Sequence, residues 1–148
     1  MDTYYLNGVL TSIGALIYCK NTGRYLFLLR DKTTYSNCWG LCGGKMEPGE
    51  SMYTGLMREI TEEIGGCPVL RLIPLDQFTS VNGRFIFHTM MAVVEREFVP
   101  QLNAEHRGYC WVQLEDHPTP LHPGIYNTLN SKAIIEKIRT VECTDFSE

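Results

Sequence analysis

GGKMEPGESMYTGLMREITEEIGG, which runs from Gly43 to Gly66, predicts a glycine-rich loop followed by a helix of about three turns. Ser51 or Glu50 stands at the expected N-cap, and Gly65-Gly66 is expected to end the helix. Apolar residues recur at spacings of three and four in this helix and predict a buried side: Met52, Leu56, Met57, Ile60 and Ile64.

The same helix carries an acidic stripe, because Glu59, Glu62 and Glu63 are three and four residues apart and share one face. Like charges at this spacing repel each other and destabilise the helix. A bound divalent cation would remove the repulsion, and carboxylate and carbonyl oxygens suit Mg²⁺ or Mn²⁺ better than a softer metal. The stripe therefore predicts a magnesium or manganese site.

The stretch resembles the signature of the Nudix family, the Nudix box G-x5-E-x7-R-E-U-x-E-E-x-G-U, in which U is aliphatic. Gly44, Glu50 and Arg58-Glu59 occupy positions that this pattern specifies. Ile60, Glu62-Glu63 and Gly65 occupy the specified positions that follow. Gly66 departs from the pattern, because it stands where the box has an aliphatic residue. The resemblance is to MutT-like proteins, and it implies an α/β fold of the Nudix type, an α/β/α sandwich with a mixed central sheet. Residues 1–148 are expected to form one Nudix domain, with the box at 44–66 and a loose tail at 140–148.

The resemblance also implies an activity, the metal-dependent hydrolysis of a pyrophosphate bond in a nucleoside diphosphate derivative. By position in the box, Glu59, Glu62 and Glu63 are the implied metal ligands, with a backbone carbonyl of Gly43 or Gly44. Glu50 is expected to pair with Arg58, which would hold the carboxylates in place. The general base is left open between a box glutamate, Glu62 or Glu63, and a later loop acid, Glu105.

Four residues outside the box are candidates for binding the substrate. Arg30, at the end of an apolar stretch, would contact phosphate or serve as a surface charge. Tyr35, Trp39 and Phe78 would stack on a base, although Trp39 lies in an apolar segment that favours a place in the core.

Composition limits the remaining possibilities. The chain has 148 residues and a net charge of −4, and it contains no basic run that would indicate nonspecific binding to nucleic acid. It shows neither a signal-peptide pattern nor an apolar stretch long enough to cross a membrane, so we expect a cytoplasmic protein. Its six cysteines form no CxxC pair and are expected to be free thiols. The expected partner is a small-molecule nucleotide, and the resemblance allows a homodimer.

Three functions follow from these observations. The first is a Mg²⁺-dependent hydrolase that converts a nucleoside triphosphate to the monophosphate and pyrophosphate. The second keeps the fold but takes a sugar nucleotide such as GDP-mannose or ADP-ribose, or a dinucleoside polyphosphate. The third is a non-catalytic nucleotide-binding regulator, which is disfavoured because the chain keeps all four box glutamates and the arginine.

The remainder of the chain predicts strands and one further helix. Segments 12–20, 24–30 and 84–95 are apolar and β-prone, 69–79 is extended and interrupted by Pro74, and 109–114 is a short strand. Segments 31–37 and 97–108 are predicted loops, and 126–139 has a helical pattern.

Overall fold

A computed structural model describes residues 5–6 and 9–145 of the chain. The strands within these residues are β1 (Tyr5–Leu6), β2 (Val9–Cys19), β3 (Arg24–Arg30), β4 (Trp39–Gly40), β5 (Cys42–Lys45), β6 (Val69–Thr79), β7 (Phe85–Val94) and β8 (His106–Val112). The helices are α1 (Met52–Ile64), α2 (Pro123–Leu129) and α3 (Lys132–Glu142), and a short 3-10 helix (Leu114–Asp116) follows β8.

The strands form one mixed sheet in the order β4-β3-β2-β7-β6, and β2 is its centre. β2 runs parallel to β7 from Leu10 to Cys19. Its middle residues, Ser12 to Ala15, pair antiparallel with β5, while its last residues, Ile17 to Cys19, pair antiparallel with β3. One long strand therefore sets the positions of both the glycine-rich strand and the strand that leads into the 31–37 loop.

Helices cover both faces of the sheet, as the alternation of side chains along β2 requires. Ile13, Ala15 and Ile17 pack into the hydrophobic cluster that contains the buried side of α1. Leu16 and Tyr18 point the other way, into a cluster completed by residues of α2 and α3. The chain is therefore an α/β/α sandwich around a mixed sheet, as predicted.

Both ends of α1 follow local sequence signals. Ser51 is the N-cap, and its hydroxyl accepts a hydrogen bond from the Thr54 N–H in a capping box. Gly65 caps the other end in a left-handed conformation, with φ of 84°. Gly66 follows with φ of 89°, which explains its departure from the box, because a branched aliphatic residue is strained at positive φ.

Two predictions about the C-terminal region were wrong. The single helix expected over 126–139 is two helices, because Asn130 ends α2 and the Ser131 hydroxyl accepts the Ile134 N–H to begin α3. The loose tail expected from residue 140 onward does not begin there, because α3 continues to Glu142 with Val141 buried. Beyond α3, Asp145 lies 3.0 Å from Lys20 in an ion pair, and residues 146–148 lie outside the described part of the chain.

Two strand predictions also needed correction. Pro74 does not break β6, which continues to Thr79 with a shift of register between Pro74 and Asp76 that accommodates the proline. β8 begins at His106, three residues before the expected start, because His106 pairs with Arg30 across a bulge.

All six cysteines are free thiols, as predicted. Within residues 5–6 and 9–145, none of the helices combines the length and the apolar character needed to cross a membrane.

We expect Gly66→Val to destabilise the protein by about 1–3 kcal/mol, because the left-handed backbone strains a β-branched residue. Steric crowding does not cause this loss of stability, since the nearest atom to an added Cβ is Thr61 Oγ1 at 3.8 Å. Gly66→Asn is the matched control, because asparagine tolerates positive φ, and it should lose clearly less. Urea unfolding measures both variants, and equal stability of Gly66→Val and the wild type would contradict the explanation.

Candidate active site

A cleft of about 690 Å³ opens between the β5–α1 unit and the loop that follows β3. Gly43, Gly44 and Glu59 line one wall. Arg30 and Lys32 also line the cleft, as do Lys45 and Arg58. The acidic face of the Nudix-like stretch therefore shares a cavity with basic side chains, which is the arrangement expected for a phosphate-containing ligand and a cation.

The two glycines of β5 are required by close packing. A Cβ at Gly43 would lie 2.1 Å from the carbonyl oxygen of Ile13 on β2, so no side chain fits there. A Cβ at Gly44 would lie 2.6 Å from Glu59 Oε2. The absence of side chains lets β5 pair with β2 and lets the Glu59 carboxylate approach the β5 backbone.

The carboxylates of Glu59 and Glu63 are both buried beside β5. Glu63 lies just behind the cleft lining, where its Oε1 accepts the Gly43 N–H at 3.1 Å and its Oε2 has no partner. Burial raises the pKa of Glu63 to about 8. Burial also raises the pKa of Glu59, against the lowering effects of the neighbouring Glu63 and of the Arg58 guanidinium. A pKa raised this far favours the protonated form of Glu63 at neutral pH.

Arg58 is the centre of the hydrogen bonds within the box. Its guanidinium donates to both oxygens of Glu50, at 2.6 and 3.0 Å, and to the Lys45 carbonyl at 2.9 Å. It also donates to Glu59 Oε1 at 2.9 Å and to the more exposed Glu62 at 3.3 Å. The hydrogen bond from Arg58 lowers the pKa of Glu50. Glu50 and Arg58 therefore lie together, as the resemblance implied, and Glu62 reaches the cleft at its rim.

Glu105 also lines the cleft, where it pairs with a lysine side chain that the sequence did not single out. Lys32 Nζ lies 3.0 Å from Glu105 Oε1, and Asn103 donates to Oε2 at 3.2 Å. Partial burial raises the pKa of Glu105, but the hydrogen bond and charge of Lys32 outweigh it, so the pKa lies below its ordinary value. Glu105 is therefore an ionised carboxylate at neutral pH.

Only one of the four substrate-binding candidates lines the cleft. That residue is Arg30, whose Nη2 donates to the Thr34 carbonyl at 3.0 Å and whose pKa is lowered by burial. Trp39 instead packs against the core cluster below α2 and α3. Tyr35 stacks edge-on against His122, with ring centroids 4.6 Å apart, and Phe78 lies exposed on the edge strand β6.

Three residues that sequence reasoning missed belong to the site. Lys32 and Phe87 line the cleft, and Phe87 also borders an adjoining cavity of about 60 Å³ together with His122. His106 lies in the segment predicted as a loop, 97–108, but its side chain is buried beside Glu63, and burial lowers its pKa to about 4. The alternation of side chains along β7 could have identified Phe87 from the sequence only if the face of the sheet that holds the site had been known.

The carboxylate oxygens of the site are donors of the type that a hard divalent cation prefers, but they form only part of its coordination shell. Among the side chains described, no three His, Cys, Asp or Glu groups converge closely enough to hold a metal by themselves. Mg²⁺ does not require such a cage, since it commonly keeps several waters and uses one or two carboxylates with substrate phosphates. The unpartnered Glu63 Oε2 and the Glu59 carboxylate pressed against Gly44 supply donors of that kind.

Comparisons with known proteins agree with this arrangement. The NUDIX domain model matches residues 10–131. Nucleoside triphosphatase NudI from Escherichia coli O1:K1 / APEC is 31% identical over 110 residues, which cover 66% of this chain and 78% of that protein.

Two solved structures have the same fold. The MutT NUDIX hydrolase from Burkholderia pseudomallei aligns with a TM-score of 0.65 and 25% identity, over 87% of this chain and 97% of the other. The NUDIX domain of Shewanella oneidensis NrtR, complexed with ADP ribose, aligns with a TM-score of 0.68 and 20% identity, over 90% and 88% of the two chains. The box in register, its carboxylates gathered beside the glycines of β5 and the match over 10–131 together establish that this chain belongs to the Nudix family of hydrolases.

Proposed function

We propose that the protein hydrolyses nucleoside triphosphates to the monophosphate and pyrophosphate, using Mg²⁺, which Mn²⁺ can replace. The observation that carries the hydrolysis of a pyrophosphate bond is the charge composition of the cleft, in which carboxylates of α1 share one cavity with Lys32 and Arg30. The name of the NudI relative, a nucleoside triphosphatase, supports the same substrate class.

The metal would be held by Glu59 and Glu63 with a backbone carbonyl of Gly43 or Gly44, and Glu62 would join from the rim. When bound, it would neutralise phosphate oxygens and lower the pKa of a bound water. The rest of the work falls to the chain itself. Arg58 keeps Glu50 and Glu59 in fixed positions through its hydrogen bonds. Lys32 and Arg30, which line the same cleft, would supply positive charge to the phosphates.

Two of the three expected general-base candidates line the cleft: Glu62 on α1, and Glu105 beside Lys32. The third, Glu63, is not among the residues that line it. Glu62 and Glu105 are therefore the proposed general-base candidates. Either carboxylate would reach hydrogen-bonding distance of the attacking water once the substrate is bound.

The proposal is tested with a substrate panel in Mg²⁺ that contains common ribo- and deoxyribonucleoside triphosphates, ADP-ribose, GDP-mannose and diadenosine tetraphosphate. We expect a triphosphate to give monophosphate and pyrophosphate, and we expect EDTA to stop the reaction. Hydrolysis of a sugar nucleotide or dinucleoside polyphosphate, with every triphosphate left intact, would replace this function by the second one. Nucleotide binding without any turnover would favour a regulator.

We expect Glu63→Gln to lower kcat by about a hundredfold or more, because one essential electrostatic group is removed from the site. Glutamine keeps the shape and still accepts the Gly43 N–H, so the melting temperature should not fall. Glu136→Gln on the exposed side of α3 is the matched control and should leave kcat unchanged. Undiminished turnover in Glu63→Gln would show that this carboxylate is not needed for hydrolysis.

Phe87 is the aromatic side chain that reaches the cleft, so we expect the nucleobase to pack against it. Base–aromatic stacking contributes about 1–3 kcal/mol, and Phe87→Ala should therefore raise KM about fivefold or more. Phe78 lies across from Phe87 on the neighbouring strand but is exposed, which makes Phe78→Ala the matched control. A larger rise of KM in Phe78→Ala than in Phe87→Ala would return Phe78 to the substrate site.

A further inference from the structure

Four buried polar side-chain atoms lack a hydrogen-bond partner within residues 9–145, and all of them belong to one cluster. They are Nε of Arg30, Oε2 of Glu63, and both ring nitrogens of His106. Buried polar groups are nearly always hydrogen-bonded, and leaving one unpaired costs about 1–3 kcal/mol. A histidine with two unpaired nitrogens at the rear of an active site therefore requires an explanation.

His106 is held beside Glu63 by the backbone rather than by its own side chain. The N–H groups of Gln101 and Asn103 donate to the carbonyls of Ile64 and Glu63, which ties the segment before β8 to the end of α1. The N–H of His106 then donates to the Asn103 carbonyl. Nδ1 of His106 consequently lies 3.9 Å from Glu63 Oε1, with both side chains excluded from solvent.

The two oxygens of Glu63 are in different surroundings. Oε1 accepts the Gly43 N–H and faces the His106 ring, whereas Oε2 has no partner. A movement of about 1 Å would bring Nδ1 and Oε1 to the usual hydrogen-bond distance. Outer-shell donors of this kind commonly orient a carboxylate that binds a metal.

We propose that His106 is a positioning residue for Glu63: its ring donates Nδ1–H to Oε1 and, with the Gly43 N–H, directs Oε2 toward the cation. This inference rests on the proposed metal-dependent function. It assigns His106 no contact with substrate or with the metal, and the effect of His106 is transmitted through the Glu63 carboxylate.

Two substitutions separate the donor from the volume of the ring. His106→Phe keeps an aromatic ring of similar size but removes the donor. His106→Asn keeps an amide N–H near the position of Nδ1 but leaves a cavity. His88→Phe is the control, because His88 is a half-buried histidine on β7 that lines a separate cavity with Met52 and Lys137.

Binding of Mn²⁺ alone, measured by the electron paramagnetic resonance signal of the free ion, gives a readout that does not depend on turnover. We expect His106→Phe to weaken Mn²⁺ binding about tenfold or more at an unchanged melting temperature, which is the size of effect known for outer-shell groups. His106→Asn should stay within about threefold of the wild type despite a lower melting temperature, and His88→Phe should bind normally. Wild-type affinity in His106→Phe would overturn the proposal, as would an equal loss in both His106 variants.

Nitrogen-15 NMR of the histidine rings provides a second test, which does not require any variant to fold. We expect His106 in the wild-type protein with Mg²⁺ to be neutral with its proton on Nδ1, and a proton on Nε2 would overturn the proposal. A wild-type protein that neither binds Mn²⁺ nor hydrolyses any nucleotide would contradict the proposed function instead. The position of the ring proton would still decide whether His106 donates to Glu63.

Discussion

The burial of Glu59 and Glu63 against the backbone of β5 is the constraint on which the site depends. Two carboxylates on one face of a helix repel each other, and burial adds a desolvation cost to each. Arg58 offsets this cost for Glu59 through a hydrogen bond of 2.9 Å, whereas the hydrogen bond that Glu63 accepts comes from the Gly43 N–H. Burial therefore leaves the pKa of Glu63 raised, and in the metal-binding role that we propose for Glu63 a cation would make its negative charge favourable.

The sheet explains how this helix comes to face the cleft. β2 pairs with β5 along its middle and with β3 at its end, so the same strand positions the glycines of β5 and the loop that contains Lys32. β7 runs parallel to β2 and places Phe87 beside both. A change of register by one residue along β2 would turn these side chains to the opposite face. Strand pairing thus sets the positions of the side chains around the cleft, while α1 supplies acidic side chains.

What could be predicted from the sequence was the local structure of α1, and what could not be predicted were the positions that strand pairing sets. The box helix, its Ser51 cap and its glycine end are encoded by neighbouring residues, and the structure has them as expected. Lys32, Phe87 and His106 could not be found in this way, because their neighbours in space are far away in the sequence and only the strand pairing decides where they point. Tyr35, Trp39 and Phe78 were chosen as aromatics without that information, and none of them lines the cleft. The break between α2 and α3 was a different kind of error, since the Ser131 cap was a local signal that the helical pattern concealed.

The composition of the cleft bears on specificity. The residues of the Nudix box would meet a cation and a diphosphate, which every substrate considered for this fold contains, so they cannot distinguish one substrate from another. Under the proposed function, discrimination would fall to groups that meet the rest of the molecule, and Phe87 and the small cavity that it shares with His122 are the candidates. Both lie outside the Nudix box. A signature that identifies the reaction is therefore silent about the nucleotide for a physical reason, because its residues would contact the shared diphosphate and not the group that differs between substrates.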